Sequence, residues 1–150
     1  MAVDNPTMCQ IISNVFDDML AMPTQVVDRP VSEFNTDRIV AAIRISGSVE
    51  EVVVVEAPTA SASLIGETMF AADPGTLASE EICDAVGEVV NMIGGNVKGL
   101  YDGDSKLSLP CVSQESGVVD SGFGNGDTVC VNVSGHPVLV RWHDVTPAAV

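Results

Sequence analysis

Residues 84–98 read Asp-Ala-Val-Gly-Glu-Val-Val-Asn-Met-Ile-Gly-Gly-Asn-Val-Lys. Because an α-helix turns about 100° per residue, the branched apolar residues of this stretch share one side of a helix. Continued one turn upstream, that stripe consists of Ile82, Val86, Val89, Val90, Ile93 and Val97. The opposite side, over an arc of about 60°, holds Asp84, Glu88, Asn91 and Gly95. The stretch therefore predicts a helix that buries one face and presents a carboxylate and a carboxamide one turn apart on the other.

Glycines interrupt this predicted helix at Gly87, Gly94 and Gly95. Each costs about 1 kcal/mol relative to Ala in a helix interior. A helix that keeps them is expected to need backbone free of side chains where another body approaches closely. On periodicity alone, however, a polar helix face is more often solvated surface than a chemical site.

The polar residues of the helix have a distinctive order, Asp84-x-x-x-Glu88-x-x-Asn91, followed by Met-Ile-Gly-Gly-Asn-Val-Lys over residues 92–98. This order resembles the signature helix of the CheC, CheX and FliY family, the chemotaxis phosphatases that dephosphorylate a response regulator of the CheY type. The family pattern continues with a proline further along the chain. Pro110 follows Asn91 here after 18 intervening residues.

The resemblance implies a role for each main polar residue. Asn91 would approach the phosphoryl group and orient the attacking water, and Glu88 would pair with the active-site Lys of the receiver domain. A carboxamide suits the first role because it donates and accepts hydrogen bonds without a charge that repels phosphate. The expected activity is hydrolysis of the aspartyl phosphate of a phosphorylated, CheY-like response regulator.

The remaining motif positions are expected to support this site. Asp84 is either a polar contact or a charge near the helix N-terminus, and both interpretations stay open. Gly94 and Gly95 would let the partner's surface close on the helix, and Pro110 completes the motif. The resemblance implies no cofactor and no metal bound by this chain, with Mg²⁺ held by the partner receiver domain.

A second class of function is the alternative: a non-enzymatic binding module of the same fold that docks on signalling or flagellar-switch proteins. The amide of Asn91 beside Glu88 argues for the enzyme, because a pure binder has no evident need for it. Ser63 and Glu67 repeat part of the motif, but Phe70 replaces its asparagine. One active site is therefore expected. A single functional copy of the motif resembles the CheX type, whose members form homodimers.

Composition limits the class of protein. The 150 residues suit one domain, residues 1–150, and the core is mostly aliphatic because 46% of residues are hydrophobic and 4% aromatic. The net charge of -15, with 6 basic residues, argues against nucleic-acid binding. The acidity is expected to serve solubility.

The cysteines, the N-terminal residues and the absence of a long apolar run predict a cytoplasmic protein. Cys9, Cys83, Cys111 and Cys130 form no C-x-x-C pair, which favours free thiols in a reducing compartment over a disulfide framework or zinc site. The first residues lack the basic start and apolar core of a signal peptide. No apolar run has the roughly eighteen residues that membrane insertion requires.

The rest of the chain predicts an α+β fold. Apolar spacing indicates helices over residues 8–21, 60–70 and 77–98. Strands are indicated over 38–46, 51–57, 128–133 and 138–142, and over 106–112 with an interruption at Pro110. Turns are predicted at residues 47–48, 125–127 and 135–137, with a flexible glycine-rich loop at 122–126. Because strands arrive in hairpins, we expect a largely antiparallel sheet with helices packed on one face, as in CheX-like proteins.

Four residues near the C-terminus allow weaker interpretations. His136 and His143 have no second ligand at a metal-binding spacing, so a structural or solvated role is expected. Arg141 and Trp142 are expected either at a dimer edge or at the end of a strand.

Overall fold

The computed structural model describes residues 3–47, 50–101, 103–119 and 127–145. The helices are α1 (Asn5–Ser13), which continues as a π-helical turn (Asn14–Met19), α2 (Thr59–Met69) and α3 (Ser79–Lys98). The strands are β1 (Thr24–Val27), β2 (Arg38–Ser46), β3 (Glu51–Pro58), β4 (Lys106–Leu107), β5 (Cys111–Glu115), β6 (Asp127–Val133) and β7 (His136–Asp144). A short 3₁₀ turn covers Val31–Phe34.

One antiparallel sheet organises the fold. Its strand order is β1-β6-β7-β3-β2-β4, and β5 pairs with β2 further along the same edge as β4. Every pairing among the described strands is antiparallel. Alternate residues of the central strand β3, including Val53 and Val55, share a buried cluster with the apolar sides of α1, α2 and α3. The predicted α+β fold, with helices on one face of a largely antiparallel sheet, is confirmed.

The other face of the sheet carries a buried ion-pair triad. The Glu56 carboxylate accepts a 2.8 Å hydrogen bond from Arg38 Nε and a 3.0 Å hydrogen bond from Arg141 Nη1. This links the neighbouring strands β2, β3 and β7 through side chains. Trp142 is fully buried on the helix side, where its indole Nε1 donates to the Val3 carbonyl at 2.7 Å. Placing Arg141 and Trp142 at a dimer edge is therefore wrong, because both side chains are used inside the fold.

Helix boundaries differ from the predictions by a few residues. The first helix begins at Asn5 rather than residue 8, because the Asp4 side chain accepts from the Thr7 amide at 2.9 Å and caps it. Its last part is π-helical and ends at Met19. The other two helices agree with the predicted ranges to within two residues.

The strand predictions missed β1, shortened β5 and misplaced a turn. The edge strand β1 is four residues long, too short for an apolar alternation to be detected. The predicted strand over 106–112, interrupted at Pro110, is two strands, β4 and β5, and β5 continues through polar residues to Glu115. The last hairpin turns at Ser134 and Gly135, whose φ angles of 48° and 82° suit a two-residue connection. His136 and Pro137 therefore belong to β7 rather than to a turn. Of the predicted turns, residues 48, 125 and 126 lie outside the described residues, whereas Gly47 is described. The predicted loop 122–126 also lies outside the described residues.

Helix α3 packs closely on the sheet at one glycine. A Cβ on Gly94 would lie 2.8 Å from Ile43 Cγ2 and 3.1 Å from Leu107 Cδ1. Gly95, by contrast, has open space around it. The expectation that Gly94 gives access to a partner is therefore wrong, since the body that approaches it is the protein's own sheet.

Substituting these adjacent glycines should have opposite effects on stability. Gly94→Ala is expected to lower the free energy of unfolding by about 1 kcal/mol or more, because the strain of overpacking exceeds the gain in helix propensity. Gly95→Ala should raise it by about 0.5–1 kcal/mol, since the methyl group meets nothing. Urea unfolding of the two variants measures both changes, and equal stability of the pair would contradict the close packing at Gly94.

A buried carboxyl group lies between both ends of the described chain and the segment that follows α3. Glu51 is fully buried and accepts a hydrogen bond from the Val3 amide at 3.1 Å. Burial raises the pKa of Glu51, and Asp144 adds to the rise, while hydrogen bonds from Tyr101 and Val3 oppose it. The folded protein therefore keeps this proton at a pH where the unfolded chain has released it.

The contribution of Glu51 to stability should decline as the pH rises above its ordinary pKa of 4.5. Because the native state binds more protons than the unfolded state in that window, each step in pH favours unfolding. Glu51→Gln removes this titration, so its stability relative to the parent should increase between about pH 4 and pH 8. Urea unfolding across this range measures the effect, with Glu115→Gln at an exposed carboxylate as the control. A stability difference that stays constant with pH would exclude the raised pKa.

Candidate functional site

Helix α3 holds the predicted site residues near its middle. Glu80 and Glu81 occupy its first turn, Lys98 its last, and the Glu81 carboxylate accepts a 3.0 Å hydrogen bond from the Ala78 amide. These charges complement the helix dipole. Five of the six residues predicted for the apolar stripe are fully buried, and Ile82 is half-buried. The helix is fixed by its buried face, which leaves the orientation of the polar face little freedom.

A shallow groove of about 430 Å³ runs beside the polar face of α3. Its lining residues are Asp84, Gly87, Glu88, Asn91, Leu109, Pro110 and Val112. The first four come from the helix, and the others come from the connection between β4 and β5 and the start of β5. The structure thus brings together Asp84, Glu88, Asn91 and Pro110, which the sequence motif separates by as many as 25 intervening positions.

The β4–β5 connection contains a one-residue bulge. Ala42 lies opposite Cys111 and Ile45 opposite Leu107, so two residues of β2 face the three residues 108–110. Ser108 fixes the connection at one end, since its amide donates to the Arg44 carbonyl at 2.9 Å. Bulges of this kind occur beside functional sites, where they redirect a side chain. Proline is compatible with this position because it has no amide hydrogen to donate to the ladder.

Gly87 lets the connection lie against the helix. A Cβ on Gly87 would lie 3.1 Å from Val112 Cγ2 and 3.7 Å from Pro110 Cβ. Pro110 therefore forms a wall of the groove next to α3. The two buried glycines of the helix serve contacts within the protein, and Gly95 is the exposed one.

The polar groups of the groove are available to a ligand. Asp84 and Glu88 are exposed and Asn91 is half-buried. Within the described part of the chain, none of these three side chains forms a hydrogen bond or ion pair. No basic side chain lines the groove. Two carboxylates and a carboxamide without partners are suited to bind a cation and to orient a polar molecule.

The partial second copy of the motif has a different environment. The Glu67 carboxylate accepts a 2.9 Å hydrogen bond from the Gly75 amide, which ties α2 to the loop that follows it. Phe70 is partly exposed just beyond the helix end. This carboxylate has a structural partner, whereas Glu88 has none among the described residues.

No group of three or more His, Cys, Asp or Glu side chains among the described residues could hold a metal ion. All four cysteines are free, with Cys130 buried and Cys111 exposed. In the described part of the chain, no helix combines the length and apolar character needed to cross a membrane.

Leu109 lines the groove although it is not part of the sequence motif. It lies in a predicted strand, where an apolar residue is expected to face a core, but its side chain is 90% exposed at the groove. Its position between Ser108 and Pro110 was the available signal, because a proline inside an apparent strand indicates an edge or a bulge.

Comparison with known proteins agrees with the fold. A family model described as chemotaxis phosphatase CheX matches residues 39–131, from the second strand to the sixth. No curated protein matches this sequence. The fold is that of chemotaxis proteins of the CheX and FliY type, and the chain belongs to the CheX family.

Similar solved structures cover nearly the whole chain. The chemotaxis protein CheX from Vibrio vulnificus is 17% identical, with a TM-score of 0.74 over 94% of this chain and 95% of that one. A CheX–CheY–BeF₃–Mg²⁺ complex from Borrelia burgdorferi gives 15% identity and a TM-score of 0.64 over 97% and 100%. FliY from Thermotoga maritima gives 15% identity and a TM-score of 0.60 over 95% and 91%.

Removing the polar side chains of the groove should not destabilise the fold. Glu88→Ala and Asn91→Ala are each expected to raise the free energy of unfolding by up to about 0.5 kcal/mol, because Ala has the higher helix propensity and Glu88 repels Asp84 one turn away. Urea unfolding measures this, with Glu56→Ala as a contrast that should cost about 3–5 kcal/mol by removing the carboxylate that two buried arginines share. A loss above about 1 kcal/mol at Glu88 or Asn91 would indicate a structural role instead.

Proposed function

We propose that this chain is a phosphatase that hydrolyses the aspartyl phosphate of a phosphorylated response regulator of the CheY type. The observation that carries the proposal is the groove that joins Glu88, Asn91 and Pro110 and leaves both polar side chains without partners. Membership of the CheX family supports it. The structure from Borrelia burgdorferi, in which a CheX is in complex with CheY, BeF₃ and Mg²⁺, supports the choice of partner.

Asn91 is proposed to orient the attacking water. Hydrolysis of an acyl phosphate requires water in line with the leaving oxygen and stabilisation of charge on the phosphoryl oxygens. The Asn91 side chain is half-buried on a fixed helix, which places it at the groove, and its amide carries no charge to oppose the phosphate. Positioning of this kind supplies on the order of 100-fold in rate.

Glu88 is proposed to anchor the helix on the receiver. Its exposed carboxylate lies one turn before Asn91, so both can meet one partner surface. A lysine in the receiver's active site would form a charge-assisted hydrogen bond with it. Asp84, one further turn away in the same groove, adds negative charge that favours the same cation. Mg²⁺ held by the receiver would neutralise charge on the phosphoryl oxygens.

Release of phosphate from a phosphorylated receiver tests the enzyme proposal. The wild-type chain should accelerate phosphate release. Asn91→Ala should lose most of an acceleration of about 100-fold, and Asn96→Ala should behave as the wild type. Asn96 is the matched control because it is an exposed asparagine on the same helix whose side chain bonds the Met92 carbonyl. Hydrolysis that survives Asn91→Ala would exclude the water-orienting role.

Binding of the same receiver separates the two classes of function. Glu88→Lys should weaken binding far more than Glu80→Lys, although both change the net charge equally. Asn91→Ala should bind as tightly as the wild type. Binding without any accelerated release by the wild type would favour the non-enzymatic docking module. Homodimerisation stays a prediction from the family resemblance.

A further inference from the structure

Leu109 has a position that the proposed chemistry does not explain. Its side chain is 90% exposed, compared with 52% for Leu100 just beyond the end of α3. Single exposed leucines are common and need no functional explanation by themselves. Leu109 differs because it lines the same groove as Glu88 and Asn91.

The backbone around Leu109 is held on both sides. Ser108 Oγ accepts from the Arg44 amide at 2.9 Å and donates to the Leu109 carbonyl at 3.1 Å. Pro110 follows directly and lies against the helix at Gly87. The bulge opposite Ile43 redirects the chain between these two fixed points. The side chain is therefore presented outward by an ordered backbone, which lowers the entropy lost when a partner covers it.

A protein surface that fills the groove contacts both Asn91 and Leu109, because both residues line its volume of about 430 Å³. The groove's charged side chains, Asp84 and Glu88, are both acidic. A complementary surface has an apolar depression opposite Leu109, bordered by positive charge that faces the two carboxylates.

We propose that Leu109 is a specificity-determining docking residue, which enters an apolar depression beside the phosphorylated aspartate of the receiver domain. The proposal rests on the proposed function, since the receiver is the occupant. Glu88 then supplies electrostatic attraction, Asn91 acts on the water, and Leu109 selects among receivers by the shape and apolarity of their surface. Burial of its side chain adds affinity that depends little on salt, unlike the contribution of Glu88.

Equilibrium binding and steady-state kinetics test this assignment. The probes are CheY-type receivers in the Mg²⁺–beryllofluoride form, a stable mimic of the aspartyl phosphate, and the same receivers phosphorylated for turnover. Leu109→Ala should raise Kd and KM about tenfold and leave kcat unchanged, because it removes binding but not water orientation. Leu109→Met should retain affinity, and Leu109→Asp should bind more weakly than Leu109→Ala. Leu100→Ala is the matched control and should change nothing.

Selectivity gives a second readout. Across a panel of receivers, Leu109→Ala should reduce the ratio between the tightest and weakest Kd, whereas Glu88→Lys should weaken all of them and reduce the salt dependence of binding. A Kd for Leu109→Ala within about twofold of the wild type, on a receiver that the wild type binds, would overturn the docking role.

The outcomes distinguish the two proposals. If the wild type binds a receiver and Leu109→Ala weakens that binding, but no phosphate release is accelerated, the phosphatase fails and the docking residue stands. If release is accelerated and Leu109→Ala has the wild-type KM, the phosphatase stands and the docking residue fails. If the wild type binds no receiver of the panel, both proposals are overturned.

Discussion

The close contact between α3 and the sheet at Gly94 is the constraint on which the site depends. Any side chain there would meet Ile43, so glycine sets the distance between the helix and β2. The same approach brings the polar face of α3 level with the β4–β5 connection, where Gly87 admits Pro110 and Val112. The groove exists because two glycines, two turns apart on one helix, let the sheet come close on its functional side.

Charged side chains have opposite environments on the two sides of the molecule. On the face away from the helices, Glu56 is buried and satisfied by two arginines, which links three strands and leaves no group to react. Along α3, Asp84 and Glu88 repel each other, and no described residue neutralises them. A positively charged group that binds between these carboxylates would reduce their mutual repulsion, so the helix face favours a cationic ligand.

Much of the fold and the centre of the site followed from sequence periodicity, and the failures have physical causes. Residues 84–98 predict both the buried stripe and the polar face of α3, because apolar residues in a long amphipathic helix recur clearly at the helical period. Strand β1 is too short, and the end of β5 too polar, to produce a clear alternation of apolar residues. The role of Gly94 depends on which sheet residues pack against the helix there, and the exposure of Leu109 depends on the register offset between the β4 and β5 pairings. A single sequence does not contain that register.

The bulge beside the groove separates two properties that many enzymes combine on the same element. Asn91 lies on a helix whose other side is core, so buried contacts fix the position of its backbone. Residues 108–110 lie at the rim of the sheet, and most of β5 after them is exposed, so substitutions there leave the core intact. Under the proposed function, substitutions at Leu109 would change the choice of partner without moving Asn91. Duplicated copies of such a protein could diverge to serve different signalling pathways through a few changes at one edge.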